Sequence, residues 1–172
     1  MRSYEYLKVP QSEKRRTDIL RLGNIRLFED GLLLNHSNPQ CECADNVSIT
    51  FEFQKKDERN DTVTQKDTDH TFMSPVKIWY AIVKRIRSYT GSNDDTPVSV
   101  VWRNKRIQHI TSEEVIASLR AAVEAIGEEK IGFKSSKIGT HSIRSGAAMA
   151  MFLDKIPVYV IMMIGRWSSD AF

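Results

Sequence analysis

Seven residues, Val47-Ser48-Ile49-Thr50-Phe51-Glu52-Phe53, alternate apolar and polar without a break. A side-chain period of two belongs to a strand with one face buried and one face wet. The charged stretch Gln54 to Asp61 follows as a turn, and Thr62-Val63-Thr64 can return as the partner strand. Upstream, Ile25-Arg26-Leu27-Phe28 and Leu32-Leu33-Leu34 flank Glu29-Asp30-Gly31, a short hairpin signal. The polar residues 35 to 46 between these runs are predicted to form a loop. A second hairpin is predicted from Val98–Val101 and Ile107–Ile110 around Arg103-Asn104-Lys105-Arg106.

Helical patterns alternate with and follow these strands. Ser74-Pro75 is a cap followed by a proline at the first helical position. Val76, Trp79, Val83 and Ile86 then form an apolar stripe with Ile82 beside it, and the helix ends by Gly91. Lys84, Arg85 and Arg87 stand near its end, where cations suit the helix dipole. Thr111-Ser112-Glu113-Glu114 is a capping box for a helix bearing Val115, Leu119, Ala122, Val123 and Ile126 and ending near Gly127. A further helix is predicted from His141 and another from Pro157, the latter with Val158, Ile161, Met162 and Ile164. Met149, Met151, Met162, Met163 and Tyr159 read as core residues. The predicted class is α+β, mainly helical, with small antiparallel hairpins toward the N-terminal half.

A length of 172 residues suits a single domain spanning 1–172. No secretory leader is expected, and these 172 residues contain no apolar run long enough to span a membrane. The Cys41-x-Cys43 spacing is poor for zinc, and no second ligand pair follows, so two reduced thiols of an intracellular protein are expected, with no metal and no cofactor. Residues 2 to 9 read as the end of a helix stopped by Pro10, without a cap at its start. Ser168 or Ser169 reads as the cap of a helix that the sequence does not go on to contain. Both ends are therefore expected to belong to a longer domain.

One stretch concentrates polar chemistry: Gly139-Thr140-His141-Ser142-Ile143-Arg144-Ser145-Gly146-Ala147-Ala148-Met149-Ala150. Thr140 can cap a helix starting at His141, and His141 and Arg144, three apart, then share a face in its first turns. Backbone donors, dipole, imidazole and guanidinium would converge on an anion-sized spot. The small residues Gly146, Ala147, Ala148 and Ala150 would let the helix pack closely into a core. The same residues also fit an ordinary core helix with a polar N-terminus.

Taken in order, the signals are Arg2-x-x-Glu5, a hairpin lysine (Lys55 or Lys56), His141-x-x-Arg144, and Gly165-Arg166-Trp167 after a proline-started helix. This series resembles the catalytic domain of the tyrosine recombinases, the phage-integrase-like family, and is most similar to the eukaryotic branch carried by Crypton-type mobile elements. There a tryptophan can stand where many relatives have a second histidine. The resemblance implies metal-free DNA breaking and rejoining, as in recombination or integration. It implies that Arg2 and Arg144 clamp the scissile phosphate, His141 hydrogen-bonds it, and Lys55 or Lys56 protonates the departing 5′-oxygen. Trp167 would pack beside the phosphate, and Glu5 would support the architecture. Arginine suits such a clamp because its planar fork offers parallel donors and stays charged.

The family nucleophile is a tyrosine that forms a 3′-phosphotyrosyl bond, roughly eight to ten residues beyond the Trp167 position. Here only five residues follow Trp167 and none is tyrosine. The resemblance thus implies a domain inactive alone, unless a second copy or a full-length recombinase on the same DNA supplies the hydroxyl. The alternative is a non-catalytic DNA-binding or structural remnant. Duplex DNA is the expected partner, with a nuclear location if the source is eukaryotic. The net charge of +3 permits DNA binding without demanding it, and the clustered cations Arg15 and Arg16, Lys56, and Arg103, Lys105 and Arg106 are the candidate phosphate contacts.

Overall fold

The structure is a computed structural model that describes residue 7 and residues 19–53, 59–70 and 73–167. Among these residues it is a mixed α+β protein with five helices, a four-stranded antiparallel sheet and a two-stranded sheet. The described residues fall into two compact units, one ending at Ile110 and the other starting at Thr111.

The first unit is built on strands β1 (Ile25–Glu29), β2 (Leu32–Leu34), β3 (Asn46–Phe53) and β4 (Arg59–Lys66), in the order β2-β1-β3-β4. The alternation in β3 decides its faces. Val47, Ile49 and Phe51 are buried, while Ser48 and Thr50 hydrogen-bond across the ladder to Thr64 and Thr62 at 2.8 and 3.0 Å. Helix α1 (Pro75–Arg87) packs against β1, β3 and β4. Its Val76, Trp79, Val83 and Ile86 are all buried against Leu22, Ile25, Leu27 and Val47. Each such aliphatic side chain contributes about 1.5 to 3 kcal/mol on leaving water, which is what holds a single helix on the sheet. Ser74 caps α1 by accepting the Lys77 N–H at 3.2 Å. The predicted loop 35–46 contains a 3-10 helix, Pro39–Cys43, whose start is fixed by Asn38 Oδ1 accepting the Gln40 N–H at 2.9 Å. Five residues are too few to display a period, so only the Asn-Pro pair marks it.

Two tight turns shape this unit. Asp30 and Gly31 join β1 to β2 with φ of 49° and 78°, and the register pairs Glu29 with Leu32. Positive φ at both central residues is the type I′ arrangement that matches strand twist. The second hairpin pairs β5 (Val100–Arg103) with β6 (Arg106–His109), and Asn104 and Lys105 turn it with φ of 52° and 58°. Loops are tied to the end of α1 by polar contacts. Arg87 donates to His36 Nδ1 at 2.9 Å and also to Asp94, and the Nε2–H of His36 donates to the Ile25 carbonyl at 2.8 Å. Arginine can only donate, so this network places the imidazole proton on Nε2.

The second unit holds α2 (Ser112–Ile126), α3 (Glu128–Ile131), α4 (Thr140–Leu153) and α5 (Val158–Gly165). The capping box is formed: Thr111 Oγ1 accepts the Glu114 N–H at 3.2 Å, and Glu114 accepts the Thr111 N–H at 2.9 Å. Gly127, at φ 101°, ends α2.

Two expectations for this unit are corrected. The helix expected from His141 begins at Thr140, with Gly139 as its N-cap. Ser142 Oγ accepts the Gly139 N–H at 3.0 Å, so Ser142 rather than Thr140 makes the side-chain cap contact. The residues assigned to a core are largely outside one. Of the small residues on α4 only Ala148 is buried; Gly146, Ala147 and Ala150 are exposed. Met149, Met163 and Tyr159 are exposed to 58%, 74% and 67%. Helix α5 is apolar all round, and a helix of that kind needs neighbours on every side to be buried. Among its residues only Ile161 is fully covered.

Candidate functional site

The start of α4 is held by the chain before it. Arg120, on α2, donates to the Ile138 carbonyl from Nε at 3.2 Å and from Nη2 at 3.1 Å, and to the Ser136 carbonyl at 3.1 Å. Ser135 donates its hydroxyl to Glu124 at 2.9 Å and its N–H to Glu128 at 2.5 Å. Three side chains therefore fix residues 135–138 on α2 and α3, and the first turn of α4 inherits that position. His141 lies on that first turn and Arg144 stands about one turn above it. His141 is exposed and Arg144 partly buried.

The other half of the site comes from the end of α5. Trp167 N–H donates to the Met162 carbonyl at 2.9 Å and Arg166 N–H to the Met163 carbonyl at 3.1 Å. These are the two bonds of a Schellman motif, and Arg166 carries its left-handed residue at φ 54°, ψ 47°. That position usually belongs to glycine, yet Gly165 precedes it inside the helix. The reason is space: a Cβ on Gly165 would run into the six-membered ring of Trp167. The indole is folded back over the helix end, and only a residue without a side chain admits it there.

Arg144 meets this turn. Its guanidinium carbon lies 4.2 Å from the centre of the Trp167 ring, and Nη2 donates to the Gly165 carbonyl at 2.5 Å. One of the last carbonyls of α5 thus receives a cation, as the dipole favours. A guanidinium stacked on an indole has its face covered, so its donors point out along its edge. Such an arrangement can hold an oxyanion of a phosphate in the plane of the guanidinium, with the ring keeping that plane fixed.

The structure brings Arg144 and Trp167 together, although 23 positions separate them, and places His141 on the helix that carries Arg144. Arg2, Glu5, Arg15, Arg16, Lys55 and Lys56 lie outside the described residues. Arg103, Lys105 and Arg106 are exposed at the β5–β6 turn of the first unit. Tyr159 sits at the second residue of α5 and Gly165 at its last. That separation is about 9 Å along the axis and about two-thirds of a turn round it, so Tyr159 does not join the Arg144 contact. Sequence reasoning missed Arg120, whose spacing within α2 gives no sign of its reach to residues 136 and 138. Among the described residues no group of three His, Cys, Asp or Glu side chains could hold a metal ion, and no helix is long and apolar enough to cross a membrane. No protein-family model, no curated protein and no solved structure matches the chain.

Proposed function

We propose that the chain is a DNA-binding domain of the tyrosine recombinase type, in which Arg144, His141 and Trp167 receive a backbone phosphate. The supporting observation is the stack of Arg144 on Trp167, which joins the His-x-x-Arg helix to the Gly-Arg-Trp turn at one point. In this reading Arg144 binds a non-bridging oxygen as negative charge grows on it. His141 hydrogen-bonds the same phosphate, and the indole fixes the guanidinium plane. Arg2 supplies the second guanidinium, and Lys55 or Lys56 gives its proton to the 5′-oxygen as that oxygen leaves phosphorus. In this reading the attacking group is a tyrosine hydroxyl, and no tyrosine follows Trp167 in these 172 residues.

The test is binding to a nicked duplex with and without a 3′-phosphate at the nick. The phosphate-bearing nick should bind more tightly, and Arg144→Ala should abolish the difference. Equal affinity of the unaltered protein for both nicks would overturn the reading.

The second reading is structural. The Gly165 carbonyl and the indole already engage the Arg144 guanidinium, as they would if it served only to fasten α5 to α4. That reading expects Arg144→Ala to lower stability while leaving DNA affinity and phosphate discrimination unchanged.

A further inference from the structure

One side of α4 carries a pattern that its own unit does not use. Ile143, Gly146, Ala150 and Leu153 follow one another at intervals of three, four and three. That spacing puts them on one stripe, at the a and d positions of a heptad. All four are exposed, Ile143 to 51% and Leu153 to 72%. The covered side of the helix is the opposite one, where Ala148 is buried and Arg144 and Met151 are partly buried. No charged residue stands between Arg144 and the helix end at Leu153. The solvent side of a helix ordinarily carries polar groups, so an apolar stripe there is built to be covered.

The order of side chains along the stripe points to the occupant. From either end it runs large, small, small, large, so the stripe is complementary to itself. We propose that a second copy of this chain covers it, the two α4 helices pairing antiparallel across a two-fold axis level with Ala148, with the exposed side of α5 flanking the pair. Ile143 of one copy then meets Leu153 of the other, Gly146 meets Ala150, and each contact occurs twice. Glycine facing alanine lets the axes approach to about 8 Å, and the antiparallel sense sets the helix dipoles head to tail. The available surface matches a dimer. Ile143, Met149 and Leu153 on α4 and Tyr159, Met163 and Ile164 on α5 are each more than half exposed. Together they leave on the order of 800 Å² in water, the area each partner buries in an interface of standard size. A flanking partner also answers the need of α5, a helix apolar all round, for further neighbours.

Arg144 lies on the other side of α4, so the pairing leaves its contact with Trp167 in place and does not rest on the function proposed for it. The experiment is sedimentation equilibrium of the full chain, without DNA, over a concentration series. The unaltered protein should be a dimer at tens of micromolar and dissociate on dilution. Ile143→Glu and, separately, Leu153→Glu should each weaken the dimer roughly tenfold or more, because each carries an unpaired charge into the apolar seam. Both positions are exposed in the single chain, so helix content by circular dichroism should be unchanged. The double variant Ile143→Glu/Leu153→Lys should regain the dimer, since the glutamate of each copy then meets the lysine of the other. In a parallel pair it would set like charges together. A chain monomeric at every concentration would overturn the proposal and leave the stripe to a partner of another kind. A dimer indifferent to both single variants would overturn the part given to α4. A folded double variant that stays monomeric would overturn the antiparallel pairing.

Discussion

The indole of Trp167 occupies the space that a Cβ on Gly165 would need. Two residues apart in sequence, they are in direct contact because Arg166 takes the left-handed turn between them. Gly165→Ala should therefore expel the ring and unstack it from Arg144. The loss is that of an overpacked site with a broken cation–π contact, about 1 to 3 kcal/mol. Tryptophan emission should move to the red in Gly165→Ala, and the shift should vanish when Trp167→Phe is added. An unshifted spectrum would mean that the ring tolerates the methyl group, and that the contact is not what requires glycine.

Stability of the first unit should depend on pH through His36. Burial holds the imidazole below its ordinary value of 6.5, and the nearby Arg87 guanidinium lowers it further, against the raising effects of the Ile25 carbonyl and Asp94. The group binds its proton more weakly folded than unfolded. Its contribution is complete above about pH 6.5 and is lost as pH falls below that value, because the unfolded chain takes up the proton first. Protonation would also set a second N–H against Arg87. Asp94 acts in the same direction in a lower window, since its hydrogen bond to Arg87 holds its carboxyl below the usual carboxylate range. Urea midpoints should fall between pH 7.5 and 5.5, and His36→Gln should flatten that dependence while lowering the plateau. A flat profile in the unaltered protein would remove His36 from the account.

The two cysteines should react at very different rates. Cys43 is exposed, while Cys41 is buried and its S–H points to the Asn35 carbonyl at 3.1 Å. Burial pushes the Cys41 thiol up, so little thiolate forms at mildly alkaline pH. Iodoacetamide at pH 8 should label Cys43 in the folded protein and Cys41 only after denaturation. Peptide mass mapping reads the order directly, and equal labelling would contradict the burial of Cys41.

Much of the fold was legible because periods and caps act locally. The β3 alternation, the Ser74-Pro75 start and the Thr111–Glu114 box each encode their element within a few residues. Burial in the second unit was not legible, because apolarity says what a side chain prefers and not how many neighbours its helix receives. Met149, Met163 and Tyr159 read as core and stand exposed for that reason. At the candidate site, the sequence offers Gly165-Arg166-Trp167 only as a motif after a proline-started helix, and the folded chain reveals that Gly165 makes room for a ring. The meeting of Arg144 with Trp167 follows from no spacing rule, since it depends on how α4 and α5 lie against each other. Arg120 is silent for the same reason: its partners are carbonyls, which any sequence supplies.

The 172-residue chain should form no covalent adduct with DNA. The proposed chemistry needs a hydroxyl aimed in line at the phosphate beside Arg144, and even a perfect anion site cannot supply one. No tyrosine follows Trp167, and Tyr159 is about 9 Å along α5 from the Gly165 carbonyl that anchors Arg144, on a different side of the helix. A nicked duplex, which traps the covalent state by losing the short 5′-hydroxyl strand, should run on a denaturing gel without a protein-linked band. Supplying a tyrosine on an added C-terminal helix should allow the band to form. In that extended protein Arg144→Ala should slow it by roughly a hundredfold or more, the usual effect of removing one preorganised charge donor. Trp167→Phe should slow it less, since a phenyl ring still offers a face to the guanidinium. An adduct of the unextended chain mapped to Tyr159 would overturn both the placement of that tyrosine away from Arg144 and the assignment of Arg144 to the phosphate.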